Sequence, residues 1–289
     1  MSAAARDPEP KNPLGIDGIE FIEYTTSQAH AFGAVLQKMG FAAVARHRSR
    51  EVMLYRQGNM NLIVNSHSPS GKNELPSTPT VAAIALRVRD AGHAFQHSLD
   101  LGAWEMPTRA SAMELHIPGI HGVGDSLIYF VDRYQDFAIY DVDFVFDSNV
   151  KANPPAVAGL HWFGVVQAIL PDRTDDWLDF YRSLFGFEVL PRGQYFGVLP
   201  KGTLLESPCH KFYLQLIEPP PGAEDIHWDE GLVRVGLGAP DVPKAVKALQ
   251  ERGIVFVDHG AVQPSDKGAL TQVYLGGVTF ELVVSHIKS

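Results

Sequence analysis

Four stretches of the chain repeat one arrangement of apolar and polar positions. Each opens on an apolar run, passes into residues whose apolar positions recur at helical spacing, and meets a glycine where that helix must stop. Each then alternates apolar and polar residues. The first opens at Gly18-Ile19-Glu20-Phe21-Ile22-Glu23-Tyr24, predicts a helix from about Gln28 to Met39, and stops at Gly40. The second opens at Thr80 to Val88, predicts a helix from near Ala91 to Leu101, and stops at Gly102. The third opens at His161 to Val166, carries Trp177, Phe180, Tyr181 and Leu184 on its helix, and stops at Gly186. The fourth opens at Leu232 to Leu237, carries Val242, Val246 and Leu249, and stops at Gly253. A glycine just past a helix adopts the left-handed conformation without a Cβ penalty, which makes it a natural stop.

Val242, Ala245, Val246 and Leu249 recur at i, i+3, i+4 and i+7, one apolar helix face. Val52-Met53-Leu54-Tyr55-Arg56 and Phe212-Tyr213-Leu214-Gln215-Leu216 read as half-buried strands. The repeat therefore predicts an α+β fold of four βαβββ units, pairing into two incompletely closed eight-stranded β-cups. The expected division is a loose leader over 1–13, an N-terminal domain over 14–146, a linker over 147–158 and a C-terminal domain over 159–289. Asn153-Pro154-Pro155 is the stiff part of the linker. A cup collects inward side chains and suits a small molecule. Its open strand edges admit a homodimer.

Composition narrows the partners. The net charge of −9 disfavours phosphate backbones, so no nucleic acid is expected. The short basic cluster of Arg46, Arg48 and Arg50 reads as a solvated face. Cys209 is the single cysteine, which excludes an internal disulfide and fits a reducing, cytoplasmic setting. No apolar run reaches the roughly 18 residues that span a bilayer, so no membrane is expected. The leader, MSAAARDPEPKNP, lacks the apolar centre of a secretory signal.

Several strings add a resemblance to the pattern. NPLGIDGIEFIEY, HRSREVMLYRQGNMNLIVN, LRVRDAGHAF, PGIHGVGDSLIYFVDRY and IYDVDFVF resemble the N-terminal domain of the 4-hydroxyphenylpyruvate dioxygenases, of the vicinal oxygen chelate superfamily. The C-terminal half is similar in order and pattern. The resemblance implies a largely structural N-terminal domain. It also implies a C-terminal cup holding non-haem Fe(II) between two histidines and a glutamate, where a 2-oxo acid chelates the metal. Open positions on such a facial triad are what dioxygen chemistry needs.

Placed on this chain, the resemblance puts metal ligands at His161 and Glu281, and puts Arg234 at the second ligand position. A guanidinium offers no lone pair. Arg234 is therefore expected to take the metal's place and pair with Glu281. His227 and His259 are the alternative third ligands, each needing a shift of register or a folded-back loop. Gln272 matches a family glutamine lining the site, and Gln215 is expected to point inward as well. His161, Arg234 and Glu281 are then the catalytic candidates, with Gln215, Gln272 and Arg234 holding the substrate.

Three functions follow. One is an oxygenase of a small aromatic or 2-oxo carboxylic acid, if iron is retained. The second is a metal-free lyase or isomerase with His161 or Glu281 as base and Arg234 as carboxylate anchor. The third is a small-acid binding protein.

Overall fold

The computed structural model describes residues 11–66, 75–107, 115–191, 197, 202–220, 222, 228–258 and 262–286. The first stretch runs β1 (Gly18–Thr25), α1 (Ala29–Lys38), β2 (Ala42–His47), β3 (Val52–Gln57) and β4 (Met60–Asn65). The second runs β5 (Thr80–Arg87), α2 (Ala91–Asp100), β6 (Gly119–His121) and β7 (Leu127–Val131), then α3 (Ile139–Asp143) and β8 (Phe144–Phe146). The third runs β9 (His161–Ala168), α4 (Thr174–Phe185), β10 (Glu188–Val189), β11 (Thr203–Glu206) and β12 (Tyr213–Ile217). The fourth runs β13 (Gly231–Ala239), α5 (Val242–Glu251), β14 (Gly268–Leu270) and β15 (Phe280–Val284). In the second and fourth stretches the strand expected after the helix shrinks to a single bridge, at Glu105 and at Phe256.

The helix boundaries follow local chemistry. Asp90 accepts the His93 N–H at 2.7 Å ahead of α2, and Asp241 accepts the Lys244 N–H at 2.9 Å ahead of α5. Such side-chain caps satisfy amides that have no partner inside the helix. Pro243 sits in the first turn of α5, where a missing N–H costs nothing. Gly40, Gly102, Gly186 and Gly253 all have φ between +76° and +99°, as the four expected stops require.

The fifteen strands among the described residues belong to one open mixed sheet, ordered β10-β11-β12-β9-β13-β5-β1-β4-β3-β2-β8 along its main path. β15 lies parallel beside β13, and β7 parallel beside β5. The sheet crosses from one half of the chain to the other where Leu232 of β13 pairs with Val81 of β5.

One face of the sheet buries α1, α2, α4 and α5. A single apolar cluster there runs from Leu14, Ile22 and Leu36 to Val235, Leu249 and Leu282, so both halves share it. Each fully buried Leu, Ile or Phe contributes about 1.5–3 kcal/mol. A second apolar cluster, built around Phe21, Val44, Leu54, Tyr140 and Phe144, covers the other face and, among the described residues, draws on the N-terminal half alone. The segment after β8 packs back on this half. Gly58 N–H donates to Pro154 O at 2.8 Å, and Val157 N–H donates to Gln57 Oε1 at 2.8 Å. No helix among the described residues is long and apolar enough to cross a membrane.

Candidate functional site

In the C-terminal half, Val235 and Leu237 of β13 face the helices and belong to the shared core, so Arg234, Gly236 and Gly238 face away from them. On β15, Phe280 and Leu282 do the same, which turns Glu281, Val283 and Ser285 onto that second face. Register then sets the spacing: Gly236 pairs with Glu281, and Gly238 pairs with His161 on the other side of β13. Gly164 lets β12 come close to β9, since a Cβ there would meet the Tyr213 carbonyl oxygen at 2.0 Å.

Arg234 Nε lies 3.4 Å from Glu281 Oε2, with side-chain exposures of 15% and 6%. This is an ion pair in charge, but the Nε–H is off line and makes no hydrogen bond among the described residues. Burial lowers the Arg234 pKa, and the neighbouring Glu281 charge opposes that shift. The expected pairing of Arg234 with Glu281 is thus present, as a close contact of charges rather than a bidentate fork.

His161 is turned elsewhere. Its Nδ1–H donates to the Gly159 carbonyl at 3.1 Å, which leaves Nε2 to accept the Ser285 hydroxyl at 2.9 Å. The ring lies over Gly238, where a Cβ would come within 2.3 Å of Nε2. Burial depresses the His161 pKa below its usual value; the Gly159 carbonyl works against this and the nearby His286 adds to it. His161 is therefore a neutral imidazole at pH 7.

Gln215 lines the same cavity as Glu281, together with Tyr213, Gly236 and Val283. The cavity is small, about 20 Å³, room for roughly one water. Gly197 packs directly onto Glu281: a Cβ there would sit 2.1 Å from Oε1. Gln272 is not part of this group. β14 ends at Leu270, and Gln272, expected on a strand, lies beyond it with an exposed side chain. The tight turn that brings Tyr274 back to Val278 leaves no strand for it to ride on. His227 and His259 fall outside the described residues.

Fe(II), which the resemblance implies, needs three donors around one point. Among the described residues no three His, Cys, Asp or Glu side chains come together. The group beside Glu281 is a cation without a lone pair, and Nε2 of His161 is engaged by Ser285. This donor set does not fit iron. Ser285 and Gly238 carry no motif in the sequence. The only signal for them is alternation, which places Ser285 on the face of Glu281 and Gly238 on the face of Arg234.

Comparison with known proteins agrees with the early resemblance. A family model described as hydroxyphenylpyruvate dioxygenase, HPPD, N-terminal, matches residues 10–145. The chain is 33% identical to a 4-hydroxyphenylpyruvate dioxygenase of Pseudomonas aeruginosa, over 89% of this chain and 75% of that one. It is 36% identical to Hemolysin VllY of Vibrio vulnificus, over 85% of this chain and 73% of the relative. A solved fusion of a xylose isomerase-like TIM barrel with 4-hydroxyphenylpyruvate dioxygenase has the same fold over 96% of this chain, with a TM-score of 0.73 at 23% identity. This chain spans half of that longer one, 50% of its length. A chain 33% identical to a curated dioxygenase over 89% of its own length and 75% of the relative's belongs to the 4-hydroxyphenylpyruvate dioxygenase family.

Proposed function

We propose that the C-terminal half binds a small aromatic or 2-oxo carboxylic acid and acts on it without iron. The observation that carries this reading is Arg234, a largely buried guanidinium beside Glu281. A substrate carboxylate offers Arg234 the two-point contact that Glu281 does not make. Glu281, relieved of its partner, then stands beside the bound acid as a proton acceptor, and neutral His161 lies two residues farther along the same face. The chemistry such groups support is proton abstraction next to a carbonyl, the work of a lyase or isomerase. The cavity holds roughly one water, so the acid enters by replacing the contact of Gly197 with Glu281. In this reading residues 14–146 and 159–289 are two domains, each an incompletely closed β-cup grown from two βαβββ units, and the second cup carries the site.

The test uses the full chain expressed in iron-replete medium. The expected result has three parts: no stoichiometric iron, no oxygen consumption with 4-hydroxyphenylpyruvate, and deuterium entering beside its oxo group from D₂O faster than the uncatalysed exchange. Arg234→Gln abolishes that exchange. A second reading, the family's oxygenase chemistry, is favoured by His161 and Glu281 standing at two of the three ligand positions. One iron per chain with oxygen uptake selects it and sinks the first.

A further inference from the structure

The N-terminal half, expected to be structural, holds a cavity of about 440 Å³ on the sheet face that carries α3, opposite α1 and α2. That lies within the usual range for small-molecule sites. Its wall carries two guanidiniums, Arg56 of β3 and Arg87 of β5.

The two differ in how their charge is met. Arg87 Nε–H donates to Glu20 Oε2 at 2.6 Å, and Glu20 is only 2% exposed. Glu20 also accepts from Asn61 Nδ2 at 3.2 Å, so its charge is shared out. Arg56 has only neutral acceptors: Asn61 Oδ1 at 2.7 Å, and Ala152 O and Asn153 Oδ1 at 2.9 Å each. Its guanidinium is stacked on Tyr140, 5.2 Å from the ring centroid, and on Phe146 at 5.7 Å. Asp141, the other acid of the wall, is exposed and accepts the Ala138 N–H at 2.9 Å. Among the described residues no carboxylate touches Arg56, and its Nη2 donors have no hydrogen-bond partner.

Tyr140 backs the same wall from inside the fold and is only 1% exposed. Burial, then the charge of Glu20 and the hydrogen bond toward it, push its pKa well above the usual phenol range, so its hydroxyl stays a neutral O–H turned to Glu20. A guanidinium edge left without an acceptor is costly, and a ligand that satisfies it recovers that cost.

From this geometry we infer a second ligand site: the N-terminal half binds an aromatic monocarboxylate, its carboxylate on Arg56 and its ring among Tyr134, Tyr140 and Phe146. A monoanion fits because one positive charge, that of Arg56, lacks a carboxylate in contact, while Glu20 already answers Arg87. A dianion such as phosphate would meet Glu20 with its second charge. The guanidinium is pre-set by three hydrogen bonds and two rings, so little ordering remains for binding to do. The inference stands independently of the reading of the C-terminal half.

The experiment titrates the full chain with 4-fluorobenzoate, followed by ¹⁹F NMR. Binding is expected at about 1 mM or tighter. Arg56→Gln is expected to weaken it by roughly 10-fold or more, the loss of a charge-assisted contact. Arg56→Lys, which keeps the charge but not the planar fork, is expected to weaken it by about 2- to 10-fold and guards against misfolding of the first variant. Absence of binding up to about 10 mM overturns the site. So does binding that neither variant alters, since the acid then sits elsewhere. Inorganic phosphate that displaces 4-fluorobenzoate at lower concentration than benzoate does overturns the assignment to a monocarboxylate.

Discussion

Both halves of the molecule place a glutamate and an arginine on neighbouring strands, on the sheet face opposite α1, α2, α4 and α5. In the N-terminal half the pair is closed: Glu20 and Arg87 meet at 2.6 Å, Asn61 supports the glutamate, and an apolar cluster fills the face around them. In the C-terminal half the contact is looser: Arg234 and Glu281 stand 3.4 Å apart, off line at Arg234 Nε, and among the described residues no second apolar cluster lies on that face. A buried pair strengthens a fold only when its remaining donors and acceptors are also met. The first pair therefore serves the fold. The second holds an unspent donor in place, which is what a binding group needs.

The largest effect should come from breaking the closed pair. Glu20→Ala strands Arg87 and Asn61, and is expected to cost about 3 kcal/mol in urea unfolding. Glu281→Ala strands a guanidinium whose contact was already poorly aligned, and is expected to cost about 2 kcal/mol. The comparison breaks if that order is reversed. The double change Arg234→Met with Glu281→Leu should recover most of the second loss, because an apolar pair of similar volume removes both buried charges.

Next in size is Arg234→His, which replaces a cation by a ligand between His161 and Glu281. Affinity for Co(II) or Mn(II), read by calorimetry, is expected to rise at least about 10-fold, near 1.4 kcal/mol. Unchanged metal uptake would show that Arg234 does not stand where a second ligand belongs.

The smallest effect concerns pH. The folded-state pKa of His161 lies below the unfolded value of about 6.5, so the unfolded chain binds the proton more readily. The stability from keeping this ring neutral is complete above about pH 6.5 and is lost as pH falls toward the depressed value. The melting temperature should thus fall less from pH 7 to pH 5 in His161→Gln than in the parent. Gly238→Ala, whose new Cβ would collide with Nε2, should push the ring out and raise its titration midpoint by NMR.

Much of this was legible in the chain. The four strand openings, the helices and their glycine stops follow from local periodicity, because helix and strand repeats and positive-φ stops are local properties. The meeting of Arg234 with Glu281 was expected from the resemblance, which puts both at ligand positions, and alternation along β13 and β15 turns them to one face. Gln272 was misplaced because strand length after Leu270 is set by a turn, not by hydrophobicity. The Glu20, Arg56 and Arg87 constellation was invisible for a different reason. Its members come from three strands, and Ala152 and Asn153 join them from a segment that reads as a linker. No local pattern links residues that far apart.

The crossing of the sheet between Val81 and Leu232 has a mechanical consequence. At the same seam a Cβ on Gly124 would fall 1.8 Å from the Glu230 carbonyl oxygen, so the backbones of the two halves touch there. The two halves are thus tied by a sheet pairing and by a common apolar core as well as by the covalent link between them. Amides along β5 and β13 should accordingly exchange with D₂O at one common rate, and a protease cut between residues 147 and 158 should nick the protein without letting its pieces drift apart.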